Sequence, residues 1–222
     1  MINPSDLTVV VVMVGETDYW SLTRPFIERY CERFGYSLRV FTEDCLASNA
    51  HPSWNKLLVP SFVRTAHAVV FDADLVPLPW APPLHVELSQ DRISMVKIQP
   101  SKCGRMKLRR KYGRQAEPHL WWNCGLISIP HAYKRPLREL FFNANYDDSI
   151  FWEQGELNRF CYQRGIEIHE LGGEWNRWVD SMLRDELIES SNFLHFAKGS
   201  KRRIRNIGRL YRALRLSGRM PT

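Results

Sequence analysis

The chain has 222 residues, 44% of them hydrophobic and 25% charged, enough to bury one core of ordinary size, so a disordered chain is excluded and a single domain with at most an appendage is expected. Its formal charge of +7 is uneven: residues 101–114 hold seven Lys or Arg and 198–222 hold nine, neither with an acid, leaving 15 bases against 24 acids and a net −9 elsewhere. The two basic segments therefore call for local partners, phosphate or an anionic surface, and a fold built throughout for nucleic acid is disfavoured.

Leu7 to Val14 is a continuous Val-rich run, the pattern of a strand buried on both faces, and Gly15 then permits a tight turn. From Asp18 to Phe34 the spacing of Leu22, Phe26, Ile27, Tyr30 and Phe34 predicts a helix that Gly35 stops, and Leu38 to Phe41 reads as a second strand. This β-α-β order predicts parallel strands in a Rossmann-like sheet, whose ligands bind beyond the carboxyl ends of the strands. Trp54 to His67 reads as a helix with Pro60 in its first turn or at a kink, leading into the strand Ala68 to Phe71. Pro77, Pro79, Pro82 and Pro83 make 77–85 a rigid loop, and Ile93 to Ile98 is again a strand. Residues 100–120, basic and without clear periodicity, read as a long mobile loop that could act as a lid. Trp121 to Ile129 is a strand, Tyr133 to Asn143 and Ser149 to Arg164 are helices, Ile166 to Leu171 is a short strand, 174–178 is an aromatic turn, and Asn192 to Ala197 is a last strand.

Leu7 to Gly15 is too short to span a bilayer and lacks preceding basic residues, so neither a transmembrane helix nor a signal peptide is expected, and the cytosol is the expected compartment. Five cysteines without a Cys-x-x-Cys pair argue for reduced thiols rather than a disulfide framework or a cysteine zinc site.

The strand before Asp72-Ala73-Asp74 ends abruptly in two carboxylates one residue apart. In an extended chain both point to one face, and at a turn they can still converge. Two anions held together need a cation between them, and hard oxygen ligands suit Mg²⁺ or Mn²⁺, commonly with phosphate oxygens completing the shell. A polar strand terminus is the plain alternative.

Five stretches, in order and spacing, resemble the retaining nucleotide-sugar glycosyltransferases of family 8, the group of glycogenin and the bacterial lipooligosaccharide galactosyltransferases. They are Val14 to Tyr19, Asn55-Lys56-Leu57 leading to Phe71-Asp72-Ala73-Asp74, Asn123-Cys124-Gly125, Glu153-Gln154-Gly155-Glu156-Leu157-Asn158, and His195 to Lys201. Tyr30-Cys31-Glu32-Arg33-Phe34-Gly35-Tyr36 is similar to the yeast-type mannan galactosyl/mannosyltransferase family. The resemblance implies a GT-A fold: a single Rossmann-like α/β domain, 1–201, with a mixed, mostly parallel sheet flanked by helices.

In such enzymes the first-strand turn holds the nucleotide base, here Gly15, Thr17 and Tyr19, although a helix-start tyrosine can equally pack on its own helix. Lys56 matches a residue contacting the sugar-phosphate, or is a solvated helix lysine. Asp72, Asp74 and His195 would bind Mn²⁺ or Mg²⁺, and Gly199 and Lys201 would border and neutralise the diphosphate. That last motif departs from the family pattern, since Gly199 lies four residues after the histidine rather than three, and Arg202-Arg203 replaces Pro-Trp. Asn123 would present its amide to the donor sugar with Gly125 allowing close approach, or is a strand-end Asn with a bulge glycine. Glu153, standing where the family has Asp, would bind donor hydroxyls, or is a first-turn acid favoured by the helix dipole. Gln154 would lie near the far face of the anomeric carbon.

The expected activity is transfer of a hexose from a UDP- or GDP-sugar, UDP favoured, to a glycan or lipid-linked acceptor, with retained anomeric configuration. The segment 202–222 reads as a basic amphipathic helix that lies on an anionic membrane surface or packs on the body. A nucleic-acid-binding module is the reading from another class, which the acidic body opposes. A degenerate transferase that only hydrolyses its donor is a third.

Overall fold

The computed structural model describes residues 1–14, 18–46, 50–98, 101–115, 117–119, 121–146, 151–179, 183–197 and 200–219. In chain order these form β1 (Leu7–Val12), α1 (Trp20–Phe34), β2 (Ser37–Phe41), α2 (Asn55–Leu58), β3 (His67–Asp72), β4 (Leu75–Pro77), β5 (Ser94–Lys97), α3 (Lys102–Tyr112), β6 (Trp122–Pro130), α4 (His131–Asn143), α5 (Trp152–Gln163), β7 (His169–Leu171), β8 (Arg177–Trp178), α6 (Asp185–Glu189), β9 (Phe193–His195) and α7 (Ser200–Leu216).

A six-stranded sheet runs β2-β1-β3-β6-β5-β7, and a smaller one runs β4-β9-β8. β1 pairs in parallel with both β2 and β3, β5 with β7, and β6 runs antiparallel between β3 and β5. The Val-rich runs are strands because alternate residues find two apolar faces. Val9, Val11, Val69 and Phe71 pack with Ile27, Tyr30 and Cys31 of α1, whereas Val10, Ala68 and Val70 pack with α2, α4 and α5 through Leu57, Leu137, Phe141 and Leu157. Gly35 ends α1 at φ 71°, and the Tyr36 N–H bonds back to the Cys31 carbonyl at 2.9 Å. Three of the five cysteines, Cys31, Cys124 and Cys161, are buried, Cys45 and Cys103 are exposed, and all five are free.

Two expectations are corrected. Most of the expected 100–120 loop is the helix α3, capped by the Ser101 hydroxyl accepting from the Gly104 N–H at 3.1 Å. Only Gly104 and Leu108, one turn apart, are buried on it, too narrow a stripe to register as periodicity amid so many basic residues. The helix expected over 54–67 is a series of short turns, 3-10 over Pro52–Trp54, α over Asn55–Leu58 and 3-10 over Val59–Phe62, with Pro60 starting the last.

α7 lays Ile207, Leu210 and Leu214 against Phe26, Val76, Leu194 and Phe196, and the Tyr211 hydroxyl donates to the Leu22 carbonyl at 2.8 Å. Its apolar stripe is therefore covered, with Lys201, Arg202, Arg205, Arg212 and Arg215 facing outward. No helix among the described residues is long and apolar enough to cross a membrane.

Candidate functional site

β3 delivers Asp72 to its carboxyl end, and the chain turns through Ala73 and Asp74 into β4. The Thr23 hydroxyl donates to the Ala73 carbonyl at 2.6 Å, tying that turn to α1. β4 pairs antiparallel with β9, placing Leu75 opposite His195, and the Phe196 N–H donates to the Asp74 carbonyl at 3.1 Å. A two-strand ladder thus brings His195 to the carboxylates across more than a hundred residues of chain. Its Nε2 lies 3.4 Å from Asp72 Oδ2 and 3.2 Å from Asp74 Oδ1, and one ligand atom from each of the three residues falls within 4.8 Å of the others.

The other nitrogen of His195 is fixed by a chain of amides. Cys124 and Gly125 lie in a bulge of β6, where the register against β5 jumps between Met95 and Val96. The Cys124 N–H donates to Gln154 Oε1 at 3.2 Å and the Gly125 N–H to Asn123 Oδ1 at 2.8 Å. Backbone N–H groups cannot act as acceptors, so these two bonds set both amides: Asn123 Nδ2 donates to Gln154 Oε1, and Asn176 Nδ2 donates to Asn123 Oδ1. Asn176 is left with its oxygen toward His195 Nδ1 at 2.8 Å, so Nδ1 donates to that amide and Nε2 is the nitrogen that faces Asp72 and Asp74. Gly125 has no room for a side chain, because a Cβ there would lie 2.5 Å from His195 Cε1 and 2.8 Å from Asn123 Oδ1.

Lys56, at the start of α2, is buried between the carboxylates. Its Nζ lies 2.5 Å from Asp72 Oδ1, 2.7 Å from Glu153 Oε1 and 3.3 Å from the Cys124 carbonyl, three acceptors for three protons. Burial alone would lower its pKa, but Asp72 and Glu153 outweigh burial and hold the ammonium above the ordinary lysine range. Burial raises Asp72 against the pull of Lys56 and His195. At Asp74 burial acts in the same sense, yet His195, by charge and hydrogen bond, and Arg203 overcome it and hold the carboxyl below its ordinary range.

Glu153 and Gln154 open α5, which docks on β6 through Asn158, whose amide oxygen accepts from the Trp122 N–H and whose nitrogen donates to the Trp122 carbonyl, both at 2.9 Å. Phe151 and Trp152, at φ 64° and 51°, enter that helix in the left-handed region, a strained path for two aromatic residues at a cavity rim. Glu153 Oε2 is buried and has no hydrogen-bond partner among the described residues.

The sequence-derived residues converge in part. Tyr19, Lys56, Asp72, Asp74, Asn123, Gly125, Glu153, Gln154 and His195 all line one cavity of about 500 Å³. Gly15, Thr17 and Gly199 lie outside the described residues. Lys201 sits exposed on the first turn of α7 and does not line the cavity. Arg203, two residues on, does: its Nη2 is 3.2 Å from Asp74 Oδ2, its Nε donates to the Phe196 carbonyl at 2.8 Å, and its guanidinium lies 4.1 Å over the Tyr19 ring. Burial first, then Asp74, pushes the Tyr19 hydroxyl up to about 12. Lys56 and Asn123 spend most of their polar groups inside the protein. Arg203, Asn176 and Trp178 escaped the sequence reading; for Arg203 the available signal was its place at the start of a basic helix directly after the His195 motif.

The donor set suits a hard divalent cation, two carboxylates and an imidazole being oxygen and nitrogen ligands without a thiolate. The Nδ1–H held by Asn176, which leaves Nε2 as the nitrogen for a metal, and the Gly125 contact that seats the ring fit the same use.

The mixed sheet with its helices on both faces, and the Asp-x-Asp turn at a strand's carboxyl end, agree with the expected GT-A fold, and the likeness to solved structures supports it. No family model and no curated protein sequence matches the chain. Among solved structures it is similar to a glycosyltransferase involved in the glycosylation of the major capsid of PBCV-1, at 14% identity and TM-score 0.70, covering 91% of this chain and 98% of that one. It is similar also to the bifunctional glycosyltransferase WbbM in its apo form, at 16% identity and TM-score 0.57, covering 99% of this chain and 53% of that one. A third is the apo form of the glycosyltransferase GlyE of Streptococcus pneumoniae TIGR4, at 12% identity and TM-score 0.51, covering 93% and 63%. At these identities the likeness is one of fold, and this chain spans about half the length of the WbbM structure.

Proposed function

We propose that the chain is a metal-dependent glycosyltransferase that moves a hexose from a nucleotide-diphosphate sugar, UDP-linked in the favoured case, to a hydroxyl of a glycan or glycolipid with retained configuration. The observation that carries this reading is the meeting of Asp72, Asp74 and His195 in one cavity that Glu153 also lines. Hydroxyls of a donor sugar would find carboxylate acceptors there.

Asp72, Asp74 and His195 would hold Mn²⁺ or Mg²⁺, which supplies charge neutralisation on the leaving diphosphate. Arg203, the guanidinium beside this cluster, is the side chain that would bind the phosphates where Lys201 was expected to. Lys56 bridges Asp72 and Glu153, its ammonium set between the two carboxyl groups. Gln154 cannot readily act as a nucleophile, because its amide oxygen already accepts from Asn123 and the Cys124 N–H. The acceptor hydroxyl therefore attacks from the side the diphosphate leaves: the new C–O bond forms as the sugar–phosphate bond breaks, and the hydroxyl proton passes to the departing phosphate oxygen. For attachment to an anionic membrane, α7 has only its arginine-rich outer face to offer, since its apolar stripe is packed on the body.

Thermal unfolding with UDP or GDP, with and without Mn²⁺, tests the reading. Stabilisation that needs both nucleotide and metal is expected, and stabilisation by oligonucleotides alone would overturn it. Proton NMR of the product tests the stereochemistry, an inverted anomer being the contrary result. Nucleotide release without any glycosylated product, across a panel of acceptors, would reduce the activity to donor hydrolysis.

A further inference from the structure

A second cavity, of about 410 Å³, opens beside the first. Phe151, Gln154 and Trp178 line both, so the two chambers share a wall. They differ in charge. The first is lined by Asp72, Asp74 and Glu153 with their cations, whereas the charged residues lining the second are Lys97 and Arg177, without a carboxylate among the described residues.

Neither Arg177, half-buried, nor Lys97, exposed, has a carboxylate partner among the described residues. Arg177 Nε is buried with no hydrogen-bond partner among the described residues, and Lys97 rests its ammonium 5.4 Å over the Trp122 ring. Ser101 and Gly104 bring the first turn of α3 to the same cavity, so the positive end of an 11-residue helix adds to the field. Arg177 as a whole is half-buried and makes no ion pair among the described residues, and a charge-assisted hydrogen bond from its guanidinium would hold an anion.

Aromatic surface flanks this charge. Trp178 and Phe151 are 41% and 40% exposed where a water-soluble domain would ordinarily bury them, and Trp121 is buried in the wall. Such faces suit the apolar side of a pyranose ring, and cavities of this size hold small ligands.

We propose that this second cavity is the acceptor subsite and that it takes an anionic pyranose, a sugar bearing a carboxylate or a phosphate. The inference rests on the glycosyltransferase reading. The ring stacks on Trp178, the anion lies against Lys97 and Arg177, and the attacking hydroxyl reaches the donor chamber along the wall at Trp178 that both cavities share. Neutral hexoses fill the same aromatic surface but leave both cations unpaired.

The test is an NMR titration of the tryptophan indole N–H signals of the full chain with methyl glucuronoside, glucose 6-phosphate and methyl glucoside. At least one anionic sugar should bind about tenfold or more tightly than the neutral glycoside, as expected for a charge-assisted hydrogen bond, and the tighter of the two identifies carboxylate or phosphate as the acceptor's charge. In a Lys97→Gln/Arg177→Gln variant that preference should shrink to within about threefold, while protection by UDP with Mn²⁺, which also reports folding, persists. Equal affinity for neutral and anionic sugars, no saturable binding of either anion, or a preference unchanged in the variant would overturn the subsite. Absence of nucleotide protection in the parent chain would instead overturn the transferase reading, and the acceptor role with it, whatever the sugars do.

Discussion

Asn176 shows how much of the site is decided by a single amide. It makes no hydrogen bond to Asp72 or Asp74 among the described residues, yet it holds a donor at His195 Nδ1, because its own orientation is set by backbone N–H groups two steps away. Asn176→Ala removes the acceptor for Nδ1 and frees the ring to take either tautomer. Mn²⁺ affinity, read by titration in the presence of UDP, should fall about 10- to 100-fold, the usual cost of losing a partner behind a metal-bound histidine. Unchanged affinity would show that the amide chain is only packing. The sequence offered little toward this residue: Asn176 lies inside an aromatic turn, and its partner Asn123 is 53 positions away. Asp72 and Asp74, by contrast, were legible because they follow an apolar run directly, and β3 is buried on both faces up to the residue where its carboxyl end meets the site. His195 was reached through the order of motifs. No local pattern distinguishes it from a histidine that merely ends a strand.

At the scale of elements, α7 packs on the body and contributes to the site. The amphipathic pattern of 202–222 left a membrane surface and the body as alternative partners; Leu210, fully buried, and Leu214 close the cluster around Phe26, Leu194 and Phe196, and the first turn of the same helix carries Arg203 to Asp74. Charge was visible in the sequence, whereas the surface that covers the apolar stripe comes from β4, β9 and α1, which no local window contains. Leu210→Ala should cost about 2–5 kcal/mol, as for other leucines truncated in packed cores. For a chain of this size that is a fall in Tm of roughly 5–15 °C. A helix resting loosely on the surface would lose less than about 1 kcal/mol, within the range of ordinary surface substitutions. Removing 202–222 altogether would uncover the same cluster, so vesicle binding is better tested by neutralising the outward Arg205, Arg212 and Arg215 together, with weaker, less salt-sensitive binding to anionic vesicles as the expected result.

Across the whole molecule the sheet separates chemistry from acid sensitivity. The carboxyl ends of β1 and β3 face the cavity, while the amino end of β3 begins at His67, paired with Leu7 on one side and Pro130 on the other. His67 is buried, its Nδ1 has no hydrogen-bond partner among the described residues, and Lys134 spans the neighbouring turn by donating to the Val63 and Thr65 carbonyls at 2.8 and 2.6 Å. Burial first, and then the Lys134 charge, hold the imidazole pKa below its ordinary value, with Asp6 opposing weakly. The unfolded chain, titrating near 6.5, therefore binds the proton more readily than the folded one. Stability from a neutral His67 is complete above about pH 6.5 and drains away as the pH falls toward the folded-state pKa, at no more than about 1.4 kcal/mol per pH unit for one group. Tm measured from pH 7.5 down to 5.5 should fall less steeply in His67→Gln than in the parent chain, because glutamine cannot take up that proton. The titrating groups of the metal cluster are common to both proteins and cancel in the difference. Parallel curves would place the acid sensitivity elsewhere, and a steeper curve for the variant would reverse the sign of the argument.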